Sequence, residues 1–405
     1  MAIRSSNQIS LLVAQLVILS LVFGPKPIKA QSNDIDKISF YVYVDSTSSM
    51  LLDQVTEPSF QSNFKFLEAR EISYDITQYS VWIKFGFNDS ISGQRYLEIT
   101  CPNLHRVDYF FPHTNSQYRK YKTGFLEDFD KRPIQIDLMT FPISPGVQPH
   151  FLRLQSDHFM NTRFKIREID EISQGAAVRE LLFSLYDGMM IAIIVGVLFY
   201  IYLIRYYSYF YYIGYILFIS SINLTEKGFY FQFLWPHSPF INYYFPLLPF
   251  GVSFCMLLFL KSIWDSSVTV RMLYRFNFWV ITALPFGYVL YYLVVREYLI
   301  AILITQVHSF LVCLIIIVTS IVSYIMSTKE HRRFFKLIII GLCIFNLGVI
   351  AYLLSQNHII PLNSFTENSI VIGSTIEVCL FTADLIFHSD TIYKKQKSMF
   401  LQRKS

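Results

Sequence analysis

The chain has 405 residues, 53% of them hydrophobic and only 16% charged, which is low for a soluble protein. Its net charge of +5 is unevenly placed: residues 1–30 sum to +3, residues 31–180 to −4 and residues 181–405 to +6. The positive excess lies in a leader and in short loops. That excludes a basic nucleic-acid patch, and no nucleic-acid partner is expected.

In chain order, residues 1–30 read as a secretory signal peptide. Arg4 supplies a positive start, Ile9–Phe23 an apolar core, and Gly24-Pro25 a break ahead of Ile28-Lys29-Ala30 and Gln31. The alternative is an uncleaved anchor helix. Both place the next 150 residues outside the membrane.

Residues 31–168 read as an exported all-β domain. In Ser80–Phe87 the side chains of Val81, Ile83, Phe85 and Phe87 fall on one face, the period-2 pattern of a half-buried strand. Arg95–Thr100, Arg106–Phe111 and Phe151–Gln155 repeat the theme, separated by turn signals such as Ser92-Gly93 and Pro145-Gly146. Short strands at this spacing suggest a sandwich. Cys101 is alone in this domain, so no disulfide is expected within it. Cys255, Cys313, Cys343 and Cys379 lie in apolar runs as small hydrophobes. Residues 169–181 form a polar, weakly helical connector around Gln174-Gly175.

Seven apolar runs follow: Leu181–Ile204, Phe210–Leu224, Tyr243–Leu260, Phe276–Val295, Tyr298–Met326, Phe334–Leu354 and Ile370–Phe387. Crossing a bilayer takes roughly 20 apolar residues, and six runs meet or approach that length. The second is extended by Tyr206–Tyr209 through the aromatic-tolerant interface. A seven-helix transmembrane bundle over residues 182–388 is expected. With the β-domain outside, the inner loops and tail carry thirteen basic residues (Arg205, Lys261, Arg271, Arg275, Lys329, Arg332, Arg333, Lys336, Lys394, Lys395, Lys397, Arg403 and Lys404). The outer loops carry only Lys227 and Arg296, so the positive-inside rule puts the N-terminal domain out and the C-terminus in.

Several stretches are similar to a known family. Leu185-Tyr186-Asp187-Gly188-Met189, the aromatic turn Arg205–Tyr215, Gly228–Pro236 ending in Trp235-Pro236, Ile372–Val378 and Ala383-Asp384-Leu385 resemble motifs of the bacterial seven-transmembrane receptors with diverse intracellular signalling modules (7TMR-DISM). Val81–Phe85 and Tyr96–Ile99 through Val107–Tyr109 resemble strands of that family's type 2 extracellular sensory domain. The resemblance covers nearly the whole mature chain. It implies a jelly-roll-like outer domain that binds carbohydrate or another small ligand, coupled to a cytoplasmic output. Family members usually continue into a kinase, cyclase or similar module. Here about 18 residues follow Phe387, and residues 389–405 form a short basic tail. Output through a separate cytoplasmic protein is therefore expected, with the tail itself free to lie on anionic lipid. A truncated receptor is the alternative.

Candidate sites fall into three groups. Ionisable residues inside a bilayer are functional candidates by default, which selects Asp187, His308, Glu377 and Asp384; Glu377 and Asp384, seven apart, share one helix face. Against this, Asp187 and Asp384 can lie hydrated near the interfaces. The outer aromatic loop offers Phe229, Tyr230 and Trp235, which can cap the bundle, dock the outer domain, touch ligand or form a plain interfacial belt. Sugar sites combine an aromatic platform with planar hydrogen-bonding groups, so Trp82, Tyr96, Arg106, Asp108, Arg132 and Arg153 are candidates by type. Trp82 faces away from Val81, Ile83 and Phe85, towards either solvent or a second core layer.

The last run has no lysine to hold retinal, and paired Gly/Pro breaks and an internal repeat are missing. No catalytic constellation, metal pair or phosphate loop stands out. The reading is a non-enzymatic receptor without cofactor in a bacterial inner membrane. Its expected partners are the bilayer, a small outer ligand and a cytoplasmic signalling protein, with a homodimer compatible. A transport or export accessory protein using Glu377 and His308 is the alternative from another class.

Overall fold

The computed structural model describes residues 38–384 except 68–69, 75–78, 88–92, 114–116, 145, 158–159, 206, 264–271, 273, 276, 280, 282–283, 296, 327–328, 358 and 362. The expected leader and basic tail lie outside the described residues.

The outer domain is a sandwich of two antiparallel sheets. Strands β1 (Phe40–Asp45), β2 (Lys65–Leu67), β4 (Ser80–Phe87), β6 (Arg106–Pro112), β7 (Tyr118–Thr123) and β9 (Gly146–Gln155) form the larger sheet, in the order β2-β1-β4-β9-β6-β7. The smaller sheet takes β3 (Glu71–Tyr74), β5 (Arg95–Ile99), β8 (Met139–Ile143) and β10 (Met160–Arg167), in the order β3-β10-β5-β8. Period-2 alternation sends Val81, Ile83 and Phe85 inward to meet Leu97, Ile99, Phe141, Phe164 and Ile166 from the opposite sheet.

The larger sheet is covered on its other face as well. A short helix α1 (Leu52–Thr56) and a 3-10 turn (Pro58–Asn63) lay Val55, Phe60 and Phe64 over Trp82 and Phe151. This second core layer explains why a strand with an apolar inner face carries a tryptophan on its outer one.

From Ile169 the chain turns helical without interruption. The polar residues 169–181 are the first turns of one long helix, α2 (Ile169–Ile204), which carries on as the first apolar run. Helices α3 (Tyr209–Glu226), α4 (Phe229–Phe233), α5 (Leu248–Ile263), α6 (Leu284–Val295), α7 (Tyr298–Met326), α8 (Lys329–Gln356), α9 (Ser364–Glu367) and α10 (residues 369–384) follow. Among the described residues, four helices are long and apolar enough to cross a membrane: Ile169–Ile204, Pro239–Lys261, Tyr298–Met326 and Lys336–Gln356. A helix satisfies its own backbone groups, the condition for running through lipid. The helices pack around Tyr212, Tyr215, Ile216, Leu257, Phe259, Val378 and Phe381. α8 and α10 approach closely because a Cβ at Gly348 would stand 2.6 Å from the Ser369 carbonyl oxygen.

One polar group sits inside the sandwich core. His150 stacks on Phe85 and Tyr109; its Nε2 is 2.9 Å from the Ser144 carbonyl and its Nδ1 2.9 Å from the Tyr109 hydroxyl. A carbonyl only accepts, so Nε2 carries the proton and Tyr109 donates to Nδ1. Burial pushes this imidazole down to about 4, against the smaller upward pull of the Ser144 bond. Below its ordinary value of about 6.5 the unfolded chain therefore binds the extra proton. The stability contributed by neutral His150 should be complete above about pH 6.5 and fade as the pH falls towards 4, worth about 3 kcal/mol at most. Hydrogen exchange of β6 and β9 in the full-length protein should show this slope, and His150→Phe should flatten it. An equally steep slope in the variant would place its origin elsewhere.

Candidate functional site

The outward face of the smaller sheet meets the helical region, and its charges converge on α2. Glu98 on β5 alternates with Leu97 and Ile99, so it points out of the core, yet it is only 1% exposed. Asp137, just before β8, is buried beside it. Arg179 on α2 spans both. Its Nε and Nη2 donate to the two Asp137 carboxylate oxygens at 2.5 and 2.8 Å, and Nη2 lies 3.9 Å from Glu98. Arg167 adds a contact to Glu98 at 3.5 Å. A planar guanidinium fits this bidentate geometry and stays charged when partly buried.

A second contact is aromatic. Gly228 opens the outer loop in the left-handed region (φ +78°), where a Cβ would press on Pro102 at 3.1 Å and on the Asp137 carbonyl oxygen at 3.2 Å. The turn delivers α4, whose Phe231 is fully buried edge-on between Phe125 (5.9 Å) and Phe129 (5.4 Å) of the outer domain. Arg132 covers this cluster with its guanidinium 4.4 Å from the Phe129 ring, while its Nη1 donates to the Ile136 and Asp137 carbonyls. Burial pushes Arg132 down to about 10, partly offset by Asp137, so it remains charged at neutral pH. Trp235 donates to Asn242, Asn242 donates to the Phe125 carbonyl, and the Phe129 amide donates to the Pro236 carbonyl. Tyr230 donates to Asp187 at 2.9 Å. Phe229, also buried, packs on Phe183 of α2. Of the four roles open to the aromatic loop, the geometry displays two: Phe231 docks the outer domain, while Phe229 and Tyr230 cap the bundle against α2.

Deeper, polar groups gather where α2, α3 and α10 meet. Glu377 is fully buried and accepts a hydrogen bond from Tyr215 on Oε2, while Oε1 has no partner among the described residues. One turn away, Ser374 sits 3.2 Å from the Tyr186 hydroxyl, and Asn223 donates to both. Tyr212 donates to the Val378 carbonyl. Arg179 and Tyr186 are seven apart, so one face of α2 touches the outer domain above and this polar centre below, about 10 Å apart along the axis.

The family comparisons fit this division of the chain. The sequence profile described as 7TM diverse intracellular signalling matches residues 179–386, and the one described as 7TMR-DISM extracellular 2 matches residues 37–168. The chain belongs to the 7TM diverse intracellular signalling family. It is a multi-pass transmembrane receptor with an extracellular sensory domain. No curated protein matches it.

In this receptor the six outer candidates do not form one cluster. Trp82, Arg153 and Asp108 are register partners across β4, β9 and β6, and Arg106 lies two residues from Asp108 on the same face. Arg153 stands 5.8 Å from the Trp82 ring and donates to the Ser48 carbonyl at 2.6 Å. Trp82 itself is fully buried under α1, so it offers no open platform. Tyr96 is on the other sheet and Arg132 is enclosed in the aromatic contact, both away from that row.

Among the membrane candidates, Glu377 holds the centre and Asp384 is buried two turns along the same helix. Asp187 serves the loop contact, and His308 bonds Ser253 of α5 at 3.1 Å and packs at a tilt against the Phe250 ring, 4.6 Å between centroids. Sequence reasoning missed Asp137, Glu98 and Tyr215, which look unremarkable in isolation; only an acidic residue in an otherwise core-like strand hinted at Glu98.

Removing one partner of a buried ion pair costs about 3–5 kcal/mol. Arg179→Ala should lower the unfolding midpoint of the outer domain and raise hydrogen exchange in residues 125–137. With Asp137→Asn in a double-mutant cycle, the coupling should be about 1–3 kcal/mol. Additive effects would show that the two groups do not hold each other.

Proposed function

We propose that the receptor binds a small extracellular ligand, with carbohydrate the leading class, on the outer face of the larger sheet where β6 pairs with β9, beside the layer that covers Trp82. Arg106, Asp108 and Arg153 form the recognition surface. The supporting observation is Asp108: its Oδ1 is buried without a partner among the described residues, beside two arginines, a hydrogen-bonding need that the fold leaves unmet. Sugars present vicinal hydroxyls that donate to a carboxylate and accept from guanidinium groups.

Occupancy of that face shifts how the sandwich holds Arg179, and α2 carries the shift to Tyr186 and Glu377. The domain limits are 31–168 for the sensor, 169–181 for the connecting turns and 182–388 for the transmembrane bundle. The chain acts without catalysis of its own in a bacterial inner membrane, with its C-terminus inside. The basic inner loops then present the change to a separate cytoplasmic protein of acidic surface. Such coupling requires contacts that differ between two states, and a polar centre in a low-dielectric bundle supplies discrete alternatives.

Two measurements test this reading. In full-length protein reconstituted in nanodiscs, a panel of mono- and oligosaccharides should contain a ligand that raises the melting temperature saturably through mass action. Arg153→Ala should weaken that ligand at least tenfold, and a panel without any shift would remove the carbohydrate assignment. Glu377→Gln keeps an acceptor for Tyr215 and removes the ionisable group. Folding should survive, while ligand-dependent changes in hydrogen exchange of the inner loops should disappear. Unchanged coupling in that variant would take Glu377 out of the path.

A further inference from the structure

A cavity of about 140 Å³ runs between α3, α5, α7 and α8. On α3 it is lined by Tyr215, Ile219, Ile222 and Glu226, spaced four, three and four apart. On α8 the lining runs from Leu342 through Phe345 and Val349 to Tyr352 and Gln356. This spacing keeps one helix face on the cavity for 14 residues, about 21 Å of rise. A volume near 150 Å³ holds a benzene-sized body when compact. Drawn out along several helical turns, it admits only a narrow, unbranched occupant.

The slot is mainly apolar, with Ser253, Thr305, Gln306, Ser309 and Asn346 as polar exceptions along its walls. Its carboxyl group, Glu226, sits at the outer end, where Tyr352 donates to it and Gln356 accepts from Asn161 of the outer domain at 3.3 Å. Directly there, between the outer domain and the helices, lies a second cavity of about 60 Å³. Glu226, Tyr352 and Gln356 line both spaces, so they form a shared neck. The outer chamber adds Asn103, Asn161, Lys227 and Glu367. Lys227 is already 3.8 Å from Glu367, and Glu226 is bonded to Tyr352. Two carboxyl groups and one ammonium line the chamber, so a charged head of either sign would meet a like-signed group as well as an opposing one, whereas a neutral head finds amides that both donate and accept.

We propose that the two cavities are one site for a single-tailed, medium-chain amphiphile with a neutral hydrogen-bonding head. The tail, roughly six to eight carbons by that volume, lies between α3 and α8, and the head sits in the outer chamber against Asn103, Asn161 and Gln356. This site is separate from the outer sheet face and does not depend on it. An occupant would touch the outer domain, the neck and the level of Ile219 and Val349 at once.

The test uses full-length receptor in nanodiscs of long-chain phosphatidylcholine and monooctanoylglycerol carrying a terminal diazirine. After photolysis, mass mapping should place the label on 219–222 of α3 and 345–349 of α8. Unlabelled monooctanoylglycerol should compete it, whereas octanoate and octylamine should compete at least tenfold less well. Val349→Phe fills the slot and should cut labelling at least tenfold; Ile222→Phe is the second filler should the first variant fail to fold. If neither folds, the wild-type map and competition decide alone. Label confined to outward-facing residues such as Phe199 and Val294, or slot label that does not saturate, would overturn the site. Equal competition by the charged analogues would overturn the neutral head.

Discussion

A guanidinium near the start of a membrane helix grips a buried carboxylate of the domain above it, and the mechanical unity of the receptor depends on that grip. Asp137 and Glu98 are both nearly inaccessible to water, and a buried carboxylate without a partner is destabilising by several kcal/mol. Arg179 meets that requirement and also fixes where α2 begins relative to the sandwich. The aromatic contact of Phe231 with Phe125 and Phe129 acts differently. Its ring contacts are non-directional and stabilise by roughly 2–3 kcal/mol of buried area. The ion pair and the Asn242–Phe125 and Phe129–Pro236 hydrogen bonds beside the rings are directional, and together they orient the domain on the helices.

Lipid imposes the complementary constraint lower down. A carboxylate at the level of Glu377 cannot be hydrated by bulk water, so its position is set by whatever donors reach it, here the Tyr215 hydroxyl. Tyr186, Asn223 and Ser374 form a neighbouring group of donors and acceptors in which each hydroxyl has more than one available partner. Such groups rearrange in steps, because breaking one bond without forming another leaves a buried polar atom unpaired. In the proposed coupling, a gradual movement at the outer end of α2 thereby becomes a discrete change at its middle.

Parts of this were legible in the sequence for physical reasons that can be named. The alternation of Val81, Ile83 and Phe85 marks a strand and its inner face, since side-chain period alone decides it. The apolar length of the helical half marks membrane segments in the same way. The outer face of β4 was not legible, because Trp82 is covered by residues 52–63, which approach through chain topology and not through any local pattern. By residue type Arg132 suits a sugar site; the fold places it in a cation–aromatic contact and on two carbonyls that no local pattern announces. Tyr215 and Glu377 are 162 positions apart, and nothing in either neighbourhood announces the other. Glu377 alone could be singled out, because charge in an apolar run is conspicuous and a tyrosine among many aromatics is not.

The uneven placement of charge gains a mechanical meaning once these contacts are known. The sensory domain is net acidic, and two of its carboxylates are the ones that Arg179 occupies, so the acidic excess is partly consumed at the junction. The helix that leaves this junction has a mixed polar start and an apolar remainder, so its two ends respond to different solvents. Water competes for the Arg179 contacts, which are partly exposed, but not for the Tyr186 contacts, which are buried. A perturbation outside is therefore cheapest at the upper end of α2 and most consequential at the lower end. In the proposed coupling, that asymmetry gives the signal a direction, from the extracellular domain into the membrane.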